Sequence, residues 1–189
     1  MNDNSNRILI LALGNDIMGD DAAGLIAARE LKKVFGSAVD IFEVSSAGFS
    51  LIDILEGYRK VLILDSIPSG NKSEGSIIEL KKEDLSDQKL YSPHYVGIPE
   101  LIELAKRLEI KFPHEVKALA IEIKEKCVIR EGLSEGIKNK IPQFIQKASR
   151  IIRNCATNCR KKAWSFGVRP TRKPSRMDTK LGARKCSSA

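Results

Sequence analysis

No apolar run in this chain approaches the roughly 18 residues that a membrane-spanning helix requires; the longest, such as Ile8 to Leu13, are far shorter. Cysteine is scarce, with four in 189 residues, which does not make a disulfide scaffold. Residues Met1 to Arg7 are polar and lack the apolar centre of a signal peptide, so secretion is not expected. Three sequence patterns are also missing. There is no Gly-x-Gly-x-x-Gly and no Gly-Lys-Ser/Thr, and Asp16, Asp20 and Asp21 beside Gly14-Asn15 would repel phosphate, which argues against a nucleotide site. No Gly-x-Ser-x-Gly elbow is present, Ser45 and Ser46 have no motif around them, and Cys127 reads as a core thiol past a strand. A covalent nucleophile is therefore not evident. A soluble, reduced, cytoplasmic protein is the expectation.

What is present supports a folded body. Apolar residues make up 42% and charged residues 30%, enough for a core and a solvated surface. At roughly 150 residues per domain, the length suits one domain plus an extension. The net charge of +8 is unevenly placed. Residues Asn154 to Ala189 hold ten Lys/Arg against Asp178 alone, while Met1 to Arg153 sums to −1. The last 36 residues also hold Cys155, Cys159, Cys186 and the only Trp, Trp164, and show no apolar period. The chain thus divides into an α/β domain, 1–153, and a basic, disordered tail, 154–189.

Within the body, apolar patterning alternates between two periods. Arg7 to Leu13 and Lys60 to Leu64 are apolar runs of the kind buried on both faces of a sheet. Val39 to Val44, Glu74 to Leu80 and Glu115 to Ile123 are further strands. Between them, Gly24, Ala27, Leu31 and Val34 share a helical face, Phe49 to Tyr58 forms a short helix, and Pro99 to Leu108 suits a helix with Pro in its first turn. Ser134 can cap a last helix whose face is Ile137, Ile141, Phe144 and Ala148, and Pro142 should kink or split it. Such alternation predicts a three-layer α/β/α fold around a mostly parallel five-stranded sheet, with the ligand site beyond the carboxyl ends of the strands.

That rule selects residues. Beyond the first strand comes Gly14-Asn15-Asp16-Ile17-Met18-Gly19-Asp20-Asp21, and beyond the third comes Asp65; His94, in Ser92-Pro93-His94, precedes a helix. Two carboxylates and one imidazole are parts of a mixed oxygen and nitrogen metal site suited to nickel, zinc or iron. Each part also has an ordinary reading: helix cap or turn for Asp21, turn for Asp65, loop for His94. His114, in Phe112-Pro113-His114-Glu115, reads as a surface loop residue.

The stretch Ile10 to Leu31, with Gly14-Asn15, Asp20-Asp21 and Gly24 opening a helix, resembles the start of the hydrogenase maturation proteases. Three further blocks keep that family's order: Ser46-Ala47-Gly48, Leu64-Asp65-Ser66 and Ser92-Pro93-His94. The resemblance spans Arg7 to Ile152. It implies an endopeptidase that removes a C-terminal peptide from the precursor of a [NiFe] hydrogenase large subunit once nickel is inserted. It further implies that Asp21, Asp65 and His94 form the metal-binding and catalytic set, with Asp20 the alternative to Asp21, and that the nickel is supplied by the substrate. Ala22 departs from the Gly often found there, and the tail has no counterpart. A metal-polarised carbonyl attacked by an activated water fits a chain without a covalent nucleophile.

Two other classes compete. One is a non-catalytic, metal-dependent binding module or chaperone for the same precursor. The other is nucleic-acid binding through Lys161, Lys162, Arg172, Lys173 and Arg176 of the tail, although beyond Trp164 and Phe166 no aromatics interleave with that charge and no nucleic-acid fold is specified. The expected partner is the precursor, with neither membrane nor nucleic acid engaged by the body.

Overall fold

A computed structural model describes residues 7–45, 51–81, 98–124 and 129–165. Five strands, β1 (Ile8–Leu13), β2 (Val39–Val44), β3 (Lys60–Ile67), β4 (Ile77–Lys81) and β5 (Glu115–Glu122), form one sheet in the order β2-β1-β3-β5-β4. The pairs β1–β2, β1–β3 and β3–β5 are parallel, and β4 joins the β5 edge antiparallel. The helices are α1 (Ala23–Phe35), α2 (Leu51–Leu55), α3 (Ile98–Arg107), α4 (Glu135–Lys138) and α5 (Ile141–Ser165). The expected mostly parallel, five-stranded α/β fold is the one observed.

The two faces of the sheet bury different halves of each strand, as a side-chain period of two requires. Ile8, Ile10, Ala12, Leu62 and Leu64 pack with Ala23, Ala27 and Leu31 of α1 and with Phe144 and Ala148 of α5. Leu9, Leu11, Leu13, Val61, Ile63 and Ile67 pack with Leu51, Ile52 and Leu55 of α2, and Leu104 of α3 lies against this cluster. Burial on both sides explains why β1 and β3 read as unbroken apolar runs.

Several boundaries differ from the sequence reading, each for a local reason. The α1 stripe ends at Leu31, because Val34 is 60% exposed. β4 starts at Ile77 rather than Glu74, since Gly75 adopts φ +78° and Ser76 N–H closes a turn onto Ser73 O. The last helix is split, with Ser134 Oγ accepting from Ile137 N–H to cap α4 and Pro142 falling in the first turn of α5. α5 runs past Asn154 to Ser165, and Cys155 is buried in the α1/α5 core. Lys60 Nζ donates to the Cys155 carbonyl at 2.6 Å, joining that turn of α5 to the start of β3. Cys127, Trp164's side chain and the chain from residue 166 onward lie outside the described residues.

Candidate functional site

The chain leaves β1 through α1 toward β2 on one side, while β3 leads toward β4 and β5 on the other. The carboxyl ends of β1 and β3 therefore flank a topological switch point, where open parallel sheets bind ligands. The strands end unequally there. The β1–β3 ladder stops at the pair Ala12 and Leu64, whereas β3 continues beside β5 through Asp65, Ser66 and Ile67. Asp65 is thus inside β3 rather than beyond it, paired on the β5 side only. The sequence reading ends the strand three residues too soon because apolar patterning stops at Leu64, while the β5 ladder runs on to Ile67.

Two glycines bring the opposite wall into place. Gly24 in the first turn of α1 sits directly on the strand ends, and a Cβ there would lie 2.6 Å from Leu64 O and 2.7 Å from Leu13 O. Gly14 has φ +147°, and a Cβ on it would lie 2.1 Å from Asp21 O. With these approaches possible, the single 3-10 turn Gly19–Ala22 folds against the crevice.

Asp20 and Asp21 occupy that turn and diverge. Asp21 is 4% exposed, and its Oδ1 accepts the Ser66 hydroxyl at 2.9 Å. Asp65 is fully buried, and its Oδ1 accepts the Ser66 N–H at 2.7 Å. The side chain of Asp20 faces the segment after β5, where its Oδ1 accepts Ser134 N–H at 2.6 Å and meets the Arg130 guanidinium at 3.3 Å. Backbone bonds reinforce that clasp, from Gly19 N–H to Arg130 O and from Arg130 N–H to Ile17 O. Of the two adjacent acids, Asp21 is the one bonded to Ser66, the residue that follows Asp65.

Arg29 of α1 fixes the outer part of the loop. Its fork spans Asp16 at 2.8–2.9 Å and Glu43 at the end of β2 at 2.5–2.9 Å. The hydrogen bonds from Arg29 hold the Asp16 carboxyl below its usual range. On the far side, buried Glu122 accepts the Ser69 hydroxyl and Gly70 N–H, which ties down the turn that follows β3. His114 is exposed before β5, where it was expected.

The crevice therefore brings Asp21 to Asp65 through Ser66. Ser46, Ala47, Gly48, Ser92, Pro93 and His94 lie outside the described residues, within which no three His, Cys, Asp or Glu side chains cluster closely enough to hold a metal. Asp21 and Asp65 offer buried oxygen donors of the kind a divalent transition metal accepts. Sequence reasoning gave no role to Ser66, Arg29, Arg130 or Glu122. For Ser66 a signal existed: it adjoins Asp65 in a strand, so alternation turns it to the face of α1. The other three link segments far apart in sequence, which leaves no local signature. Among the described residues, no helix is long and apolar enough to cross a membrane.

Comparison with known proteins agrees with this architecture. The Hydrogenase 2 maturation protease of Escherichia coli K12 is 26% identical over 152 residues, 78% of this chain and 91% of that protein. The solved [NiFe] hydrogenase maturation protease HybD from Thermococcus kodakarensis superposes with a TM-score of 0.62 at 29% identity, covering 77% of this chain and 99% of that one. The maturating endopeptidase HybD from E. coli has the same fold, with a TM-score of 0.68 at 21% identity, over 78% of this chain and 93% of that one. A family model described as "Hydrogenase maturation protease" matches residues 26–151, about two thirds of the chain, a stretch that includes Asp65 and His94 and begins just after Asp21. The chain belongs to the hydrogenase maturation protease family.

Proposed function

We propose that this protein is a cytoplasmic endopeptidase that removes a C-terminal peptide from the nickel-loaded precursor of a [NiFe] hydrogenase large subunit, and that Asp21, Asp65 and His94 read the nickel. The observation that carries this reading is the pair of buried carboxylates at the β1/β3 switch point, Asp21 and Asp65, held through one serine. Membership of the maturation protease family and the names of the relatives supply the substrate class. The nickel is part of the substrate and would supply a Lewis acid at the scissile carbonyl. On the protein side, Asp21 and Asp65 would present oxygen ligands from two walls of the crevice, and His94 would add an imidazole. One imidazole and two carboxylates leave coordination positions for groups of the precursor. A carboxylate of the pair would accept the proton of the attacking water.

The test is incubation of the protein with nickel-loaded and nickel-free precursor, followed by mass measurement of the large subunit. Trimming of the loaded form only is the expected result. Asp21→Asn, Asp65→Asn and His94→Ala should each abolish it, and His114→Ala should not. Failure to trim either precursor, across several candidate hydrogenases, would favour a binding module or chaperone. Normal trimming by the His94→Ala protein would overturn the ligand set.

A further inference from the structure

Both carboxylates of the crevice are held by the same residue. Ser66 is fully buried in β3, and besides Lys60 and Asp65 it is the only polar residue of that strand. Because it follows Asp65 directly, its side chain emerges on the opposite face, toward α1, and its Oγ donates to Asp21 Oδ1 at 2.9 Å. Its backbone N–H donates to Asp65 Oδ1 at 2.7 Å, at a level of β3 where β1 has already ended. One residue thus donates two hydrogen bonds, one to an acid from the loop after β1 and one to an acid of β3. Ser69, also beyond the Leu64 level, bonds Glu122 and takes no part in this link.

We propose that Ser66 is a positioning residue for the cleavage, setting the orientation of Asp21 relative to Asp65. This rests on the endopeptidase reading above. A carboxylate on a short turn takes its direction from the donors that reach it. A hydroxyl donor anchored in the sheet sets that direction before the substrate arrives. The packing around β3 does not itself call for a hydroxyl, since Leu62 and Leu64, the β3 residues on the same face, are apolar. Alanine would fit the same space, so the oxygen of Ser66 acts through Asp21.

The experiment compares Ser66→Ala and Ser66→Thr with the parent protein on the nickel-loaded precursor, with kcat, KM and Tm measured separately. Ser66→Ala removes the donor, and kcat should fall about 10- to 100-fold with KM little changed, the usual consequence of losing a ligand's hydrogen-bond partner. Ser66→Thr keeps the hydroxyl and adds a methyl group to a buried site, so its Tm should fall at least as far while its kcat stays near the parent's. A purely structural role predicts instead that activity follows Tm in both variants. The proposal is overturned by a parental kcat in Ser66→Ala, by a folded Ser66→Thr protein as slow as Ser66→Ala, or by a change confined to KM. If Ser66→Thr does not fold, the kcat of Ser66→Ala decides alone. A parent protein that trims no precursor marks failure of the endopeptidase reading rather than of the Ser66 geometry, which a Tm loss in Ser66→Ala that disappears in the Asp21→Ala background would still register.

Discussion

Adding one methyl group at Gly24 should separate this fold from a generic sheet-and-helix packing. A Cβ at Gly24 would stand 2.6 Å from Leu64 O and 2.7 Å from Leu13 O, both backbone atoms of central strands. Neither oxygen can rotate away, so the first turn of α1 must retreat by roughly half an ångström or more to reach ordinary contact. Forced overpacking of this kind costs about 1–3 kcal/mol, and two fixed contacts place Gly24→Ala toward the upper end. For a chain of this size each kcal/mol is worth about 2–4 °C, so Tm should drop by roughly 6–12 °C. Gly136 in α4 provides the opposite sign for the same chemical change. Its Cβ would meet Glu74 only at ordinary distances of 3.5 Å and beyond. Alanine there removes the roughly 1 kcal/mol helix penalty of glycine, so Tm should stay level or rise. Thermal unfolding followed by circular dichroism measures both. If Gly24→Ala unfolds within a degree of the parent, α1 does not rest on the β1 and β3 carbonyls. The account of how Asp21 reaches the crevice would then fail.

Asp20→Ala leaves the Ser134 N–H without its acceptor and should cost about 1–3 kcal/mol, whereas Arg130→Gln breaks only a partly exposed ion pair worth about 0–1 kcal/mol. Equal losses in urea unfolding would contradict the assigned geometry. Ser134→Ala removes the α4 cap and should cost about 1 kcal/mol in the same assay. Burial, then the Asp40 carboxylate, pushes the Tyr58 phenol up to about 12. Its folded pKa lies above the unfolded value, so its contribution to stability is complete below about pH 10 and is lost as pH rises toward about 12. Absorbance titration at alkaline pH should show one of the three tyrosines ionising late, and Tyr58→Phe should abolish that step.

Most of the sheet is legible from local patterning because its central strands are buried on both faces. Ile8–Leu13 and Lys60–Leu64 can bury that much apolar surface only between two helical layers. The misreadings occur where a distant partner decides the outcome. Asp65 and Ser66 look like a turn until β5 is placed beside them, since only the β5 ladder extends that far. Cys155 looks like part of a polar tail because basic residues follow it. Its own helix turn is held by Lys60 and packed into the α1/α5 core, 95 residues from that lysine in sequence. Burial, followed by the Glu115 carboxylate, pushes the Cys155 thiol up, as befits a packed thiol rather than a reactive one. The crevice was legible in part. Strand ends pointed to Asp21 and Asp65, but the choice between Asp20 and Asp21 depends on Ser134, more than a hundred residues away.

The geometry of the Gly19–Ala22 turn explains why the two acids stand side by side. A 3-10 turn advances by three residues per revolution, so adjacent side chains point about 120° apart. Two neighbouring carboxylates on such a turn cannot both enter a narrow crevice. If Asp21 faces Ser66 and Asp65, then Asp20 must face elsewhere, and here it meets Ser134 and Arg130. Repulsion between adjacent acids is reduced as well, since each finds donors on its own side. Asp20 anchors the turn from outside and Gly14 permits the backbone approach behind it. The close seat of Gly24 then fixes its height above the strands. Each constraint acts on a different side of a four-residue turn, so the direction of Asp21 is set by the fold before any substrate binds. The two acids of this turn therefore differ in partner, Asp21 with Ser66 and Asp20 with Ser134 and Arg130. Exchanging the roles would require the turn to rotate by about a third of a revolution, against Gly24's contact with two strand carbonyls.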